Sequence, residues 1–232
     1  ILKKKQEFSK RLTDEVKSCG FKVFNSVVSD GGAVKCINPE IEMSRKEIDS
    51  LIDFATKEGA KGLAWMKVDN GELKSNIAKF FEDDTKKKIL EKTGAEKGVL
   101  LFIADKEMSA NKLLGTIRNE VAKRHDLIEE GWKFCWVVDF PLFEWDEDEN
   151  RWAPCHHIFT RPKDECLKYL EEDPAKVYAT LFDLVLNGVE LGSGSMRVTD
   201  PDLQRRIMNV IGMDKKEADE KFGFLLNAYR YG

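Results

Sequence analysis

The hydrophobic positions divide the chain into two halves of different rhythm. From residue 4 to 18, Phe8, Leu12 and Val16 recur at i, i+4, and Gly20 follows as a stop. That spacing predicts an amphipathic helix. Residues 21–29 alternate through Phe21, Val23 and Val27 into Asp30-Gly31-Gly32, and residues 33–37 are apolar again. This predicts a β-hairpin. Ser44-Arg45-Lys46-Glu47 is a capping box opening a helix with Ile48, Leu51, Ile52 and Ala55 inward and Gly59 as terminator. A short strand, Gly62 to Val68, runs to the turn Asn70-Gly71, and a lysine- and acid-rich helix ends near Gly94. The unbroken apolar run from Gly98 to Ala104 suits a central strand. Ser109 is expected to cap the next helix, which carries Leu113, Leu114, Ile117 and Val121 on one face.

The rhythm changes at Gly131. Trp132 to Val138 reads as a strand, interrupted by Asp139-Phe140-Pro141. Phe143 to Trp145 reaches an acidic turn at residues 146–150, and Arg151 to Thr160 returns as a strand. A second hairpin runs from Leu181 to Leu186, turns at Asn187-Gly188 and returns from Val189 to Val198. Lys163 to Leu170 and Pro174 to about Tyr178 read as short helices. Asp200-Pro201 pairs an N-cap with proline at the first helical position, and Asp214 opens a last helix ending near Tyr229. The expected fold class is α+β. A compact module of mixed sheet and helices over 21–125 comes first, and an antiparallel sheet with covering helices follows.

Composition narrows the possibilities. At 232 residues, with 42% hydrophobic and 34% charged residues, the chain can bury a core and solvate its surface. The net charge of −4 lacks the basic excess of a dedicated nucleic-acid binder, so any nucleic-acid footprint would lie elsewhere in the parent protein or be a local patch hidden in the total. Cys19, Cys36, Cys135, Cys155 and Cys166 are odd in number and show no CxxC spacing. They fit a reducing compartment and argue against a disulfide scaffold or a structural zinc site. No apolar run approaches the roughly 18 residues of a membrane span. The opening Ile1-Leu2 without methionine, and the close at Tyr231-Gly232, read as the interior of a longer chain.

Two stretches could carry chemistry. In Cys155-His156-His157-Ile158-Phe159-Thr160, adjacent histidines on a strand would face opposite sides, which disfavours a two-histidine metal site. One core and one solvated histidine is the plainer account. His125, at a helix end, suits a solvated or dipole-stabilised role. In residues 187–198, Glu190 and Arg197 stand an odd number of positions apart. A bulge at Gly192-Ser193-Gly194 would bring both to one face. The carboxylate would then suit Mg²⁺ or a ribose hydroxyl, and the guanidinium a substrate carboxylate. An ordinary surface ion pair beside a glycine turn is the equal alternative.

The strings Val138-Asp139-Phe140-Pro141-Leu142-Phe143-Glu144-Trp145, His156-His157 with Phe159-Thr160 and Pro162-Lys163, Asp183-Leu184-Val185-Leu186-Asn187-Gly188, Glu190-Leu191-Gly192, Gly194-Ser195, Arg197, and Lys221-Phe222-Gly223-Phe224-Leu225-Leu226 with Tyr231-Gly232 resemble, in order and spacing, bacterial-type aspartyl-tRNA synthetases of class II. Residues 21–128, with Lys61-Gly62-Leu63-Ala64-Trp65, resemble that family's GAD insertion domain. The resemblance implies a linker helix over 1–20 and the C-terminal part of the catalytic domain over 129–232. It implies a two-step ligase in which aspartate and ATP give an adenylate and aspartate then passes to tRNA. His156 and Arg197 would bind aspartate, Glu190 would bind ATP, and Glu190 and Ser193 would hold Mg²⁺. It further implies a cytoplasmic homodimer away from membranes. Ile158 and Ser193 depart from the bacterial pattern, which has proline and glycine there. The first would loosen the His156 loop and the second would add an oxygen to the metal site. The family's motifs 1, 2 and 3 lie outside this sequence, so the segment by itself is expected to be inactive, and without motif 1 it lacks the dimer-forming elements, which allows a monomer. Two competing readings are a tRNA- or protein-binding module built on the GAD-like domain, and a weaker one, a metal-dependent hydrolase using His156, His157 and Glu190.

Overall fold

A computed structural model describes residues 9–231, and the side chain of Arg230 is left aside. The chain divides into two compact units, at Glu129/Glu130. The expected helix over 4–18 falls partly outside the described residues. Its described part is a two-residue strand, β1 (Lys10–Arg11), and a single helical turn, α1 (Thr13–Val16).

The first unit then runs α2 (Lys22–Ser29), β2 (Ala33–Ile37), α3 (Arg45–Lys57), β3 (Ala64–Asp69), β4 (Glu72–Lys74), α4 (Asp83–Thr93), β5 (Gly98–Asp105) and α5 (Glu107–Arg124). Its sheet has the order β1-β2-β5-β3-β4, and each pairing is antiparallel. The apolar run at 98–104 is the middle strand, and its alternation explains why it is apolar throughout. Val99, Leu101 and Ile103 enter one core with Ile48 and Leu51 of α3 and Leu114 and Ile117 of α5. Leu100 and Phe102 enter a second core on the other face, with Val16 of α1, Phe24 of α2 and Ile89 of α4. A strand covered by helices on both faces has no polar side to show.

Local signals account for the helix ends. Ser44 accepts from the Glu47 amide while the Glu47 carboxylate accepts from the Ser44 amide, closing the capping box at the head of α3. Two expectations fail here. Residues 22–29 form a helix, not a strand. Phe21, Phe24 and Val28 fall at helical spacing against the second core, whereas Val23, an apolar member of the apparent alternation, is 56% exposed. Asp30-Gly31 ends that helix, with Gly31 at φ +80°, a conformation that glycine adopts without penalty. The N-cap of α5 is Lys106, so Ser109 lies inside the helix.

The second unit holds β6 (Phe134–Val138), β7 (Phe143–Asp146), β8 (Arg151–Pro154), β9 (Leu181–Leu186), β10 (Val189–Ser195), α6 (Pro201–Val210) and α7 (Lys215–Ala228), with 3₁₀ turns at Asp164–Tyr169 and Pro174–Lys176. β10-β9-β6 form one antiparallel sheet and β7-β8 a hairpin. Asp200 and Asp214 cap α6 and α7 through their side chains. Leu142, Phe143, Val177, Val198, Ile207 and Leu226 belong to its core. The expected strand over 151–160 stops at Pro154, which has no N–H for a ladder, and residues 155–160 turn instead.

Candidate functional site

The register of the β9–β10 hairpin sets the geometry. Glu190 pairs with Val185, Gly192 with Leu184 and Ser193 with Asp183, so the register slips between Glu190 and Gly192. Leu191 is therefore the extra residue of a β-bulge, just ahead of the glycine-rich stretch where the sequence suggested it. Directly opposed residues share a face, and so do alternate residues of one strand. Val185 and Asp183 are two apart, which places Glu190, Ser193, Ser195 and Asp183 on one face. Arg197 follows at the same parity in extended chain, held by a bridge to Thr160 and by the Arg161 amide donating to the Met196 carbonyl. Gly194 lies on the opposite face, where an added Cβ would come within 2.6 Å of the Phe182 ring.

Asp183 is the residue that the sequence reading missed. It sits within an apolar strand pattern, and only the register shows it opposite Ser193. Two carboxylates and a hydroxyl on one exposed face are oxygen donors of the kind hard divalent cations take. Among the described residues, no three His, Cys, Asp or Glu side chains converge as a ready metal cluster.

The histidines do not lie on a strand, but they still point apart. His156 is exposed and packs edge-on against Phe140, with ring centroids 5.1 Å apart. Phe140 is fixed by its carbonyl, which accepts from Ala179, and its neighbour Asp139 is ion-paired to Lys163. The neighbour of the Arg197 guanidinium is His157, not His156. Nη1 touches Nε2 of that ring and lies 3.1 Å from Nδ1. Nδ1 also faces the Phe159 amide at 3.2 Å. A neutral imidazole has only one acceptor nitrogen, so it cannot satisfy both donors. The Phe159 amide and the guanidinium thus compete for one acceptor on this ring. Ile158, next to His157, is buried, and its carbonyl accepts from the Gln204 side-chain amide at 2.7 Å. Burial, then the positive charge of Arg197, then His156, push the His157 pKa below the ordinary histidine value.

That shift has a pH consequence. On acidification the unfolded chain takes up this proton before the folded one does. The stability due to neutral His157 is complete above about pH 6.5 and declines as the pH falls below it. An NMR titration is expected to show one imidazole titrating below the ordinary value and moving upward in Arg197→Gln. A His157 signal titrating at or above the ordinary value would contradict this arrangement.

Cys19, Cys36 and Cys166 are buried, Cys155 is half-buried and Cys135 exposed, and all five are free thiols. His125 is the C-cap of α5, with Nε2 3.8 Å from Glu47. No helix among the described residues is long and apolar enough to cross a membrane.

Residues 24–114 match the GAD domain family. Over 95–96% of its length the chain is similar to bacterial ligases. It is 46% identical to the aspartate–tRNA ligase of Ruminiclostridium cellulolyticum. It is 47% and 50% identical to the aspartate–tRNA(Asp/Asn) ligases of Caldanaerobacter subterraneus subsp. tengcongensis and Heliobacterium modesticaldum. The chain spans 37–38% of the length of these relatives. The chain is therefore similar to a GAD domain followed by part of an aminoacyl-tRNA synthetase. More narrowly, the chain is homologous to a segment of the bacterial aspartate–tRNA ligases.

Proposed function

We propose that residues 21–128 are the insertion domain and residues 129–232 the C-terminal part of the catalytic domain of an aspartate–tRNA ligase. Its full-length form activates aspartate with ATP and transfers it to tRNA, as a homodimer in the cytoplasm. The observation that carries the reading is the common face of Glu190 and Ser193, created by the bulge at Leu191, with Arg197 two residues beyond the end of β10.

Beside that face the Arg197 guanidinium receives the aspartate side-chain carboxylate through a two-pronged hydrogen bond. An amide in its place would leave the guanidinium partly unpaired, which rejects asparagine. His156, backed by Phe140, borders the amino-acid subsite. Glu190 takes ATP, and its carboxylate, with Ser193 and Asp183, would supply oxygens to Mg²⁺, which would neutralise phosphate charge when bound. The chain's own residues position the two substrates rather than exchange protons with them.

In the full-length protein, aspartate-dependent ATP–pyrophosphate exchange is expected, and in this segment alone it is expected to be absent. Full-length protein without such exchange would refute the assignment. Exchange by the segment alone would refute the view that the remaining chain completes the ATP site.

A further inference from the structure

The first unit contains a cavity of about 320 Å³ that the active-site reading leaves unused. Phe24, Leu63 and Phe102, all buried, line it together with the half-buried rings of Phe21 and Trp65. Arg45 and Lys61 also line it, and none of its lining residues is acidic.

The two cations are available. The Lys61 side chain is 81% exposed and only 3.8 Å from its partner Asp105. Arg45 pairs with Asp49 one helical turn on, at the surface. The exposed Arg45–Asp49 pair contributes about 0–1 kcal/mol, so that guanidinium can turn to an incoming anion at little cost. Asp105 is largely buried, but at 3.8 Å it makes no close hydrogen bond with the Lys61 ammonium, which can therefore also take a phosphate. The Arg45 guanidinium already stacks over Trp65, 5.3 Å from the ring centroid. The aromatic surface continues outside the cavity. Phe21 stacks on Phe80 at 5.8 Å and 29°, Phe80 is 40% exposed, and the Lys79 ammonium lies 5.2 Å from its ring centroid.

Rings interleaved with cations match a polymer that alternates planar bases with phosphates. An acidic peptide with one aromatic residue would meet one ring of this row and leave the rest bare. A duplex keeps its base faces stacked inside and could not enter a cavity of this size. We propose that the cavity seats one unstacked base of a single-stranded RNA, with the flanking phosphates on Lys61 and Arg45. Every residue involved lies within 21–104. The test needs no ligase activity, so it can fail without touching the active-site assignment.

Gly62 offers a clean variant. It lines the cavity, and a Cβ added there would meet nothing within 4 Å. In Gly62→Met the side chain is expected to occupy the seat without disturbing the core. Fluorescence anisotropy of the 232-residue chain with a labelled single-stranded RNA hexamer should show saturable binding, weakened about tenfold or more by Gly62→Met. Lys61→Gln should lower the slope of log affinity against log salt by about 0.7, the contribution of one phosphate on a single strand. Equal melting temperatures of the variants and the parent exclude unfolding. If Gly62→Met melts early, Lys61→Gln decides. Any of four results would overturn the proposal: no saturable RNA binding, equal affinity for a duplex of the same sequence, binding indifferent to both substitutions, or preference for an acidic aromatic peptide over RNA.

Discussion

Arg197→Leu in the full-length form of the proposed ligase is expected to lower kcat/KM for aspartate by roughly 30- to 5,000-fold. Removing one partner of a hydrogen-bonded charge pair costs about 2–5 kcal/mol once bound substrate and the rest of the full-length protein bury it, and each ~1.4 kcal/mol is a factor of ten. Aspartate-dependent pyrophosphate exchange measures it, with the KM for ATP as the internal control. Arg197→Lys should recover only part of the loss, because an ammonium keeps the charge and loses the planar fork. Discrimination against asparagine should fall in the same variants. An unchanged response to aspartate would place its side-chain carboxylate elsewhere. The contact with His157 bears on the direction of the effect. The guanidinium competes for an acceptor that the Phe159 amide also faces, and an arriving carboxylate relieves both donors.

The largest effect on stability is expected from Phe102→Ala. Phe102 is 1% exposed in the central strand β5, and its ring lies 6.1 Å from that of Phe24. Emptying such a site costs about 3–5 kcal/mol, through lost burial and the cavity left behind. Because the chain has two compact units, urea unfolding need not be one transition. Only the transition of the first unit should move, and the His157 resonances of the second should stay in place until their own transition. A shift below about 1 kcal/mol would mean that the helices on that face collapse to refill the space.

Much of this architecture was legible because its signals are local. The capping box at Ser44, the Asn70-Gly71 turn, the Asp200-Pro201 start and the apolar run of β5 each depend on a few consecutive residues. What failed depended on partners far along the chain. Phe21, Val23 and Val27 fit a strand as written. Only the core around Phe24 and Phe102 shows that Phe21, Phe24 and Val28 are the inward set of a helix. The strand expected through the histidines needed a ladder partner, and Pro154 ends the β7–β8 pairing. The site shows the same division. The sequence joined Glu190 and Arg197 by allowing a bulge, and the register does slip at Leu191; Ser193 entered only through the resemblance. Asp183 became visible only through its register with Ser193, and His157 only through the return of Arg197 beside Thr160.

The two sheets also keep different clocks. In β5, residues 98–103 are buried and both neighbouring strands are paired to it. Its amides should exchange with deuterated water only when the whole first unit opens. All five residues of β6 are exposed, and β6 and β10 form the margins of a three-stranded sheet. Their amides should exchange through small local openings, far sooner than those of β5. The strand that presents Glu190 and Ser193 is thus among the least protected backbone in the chain, and the scaffold of the RNA seat among the most.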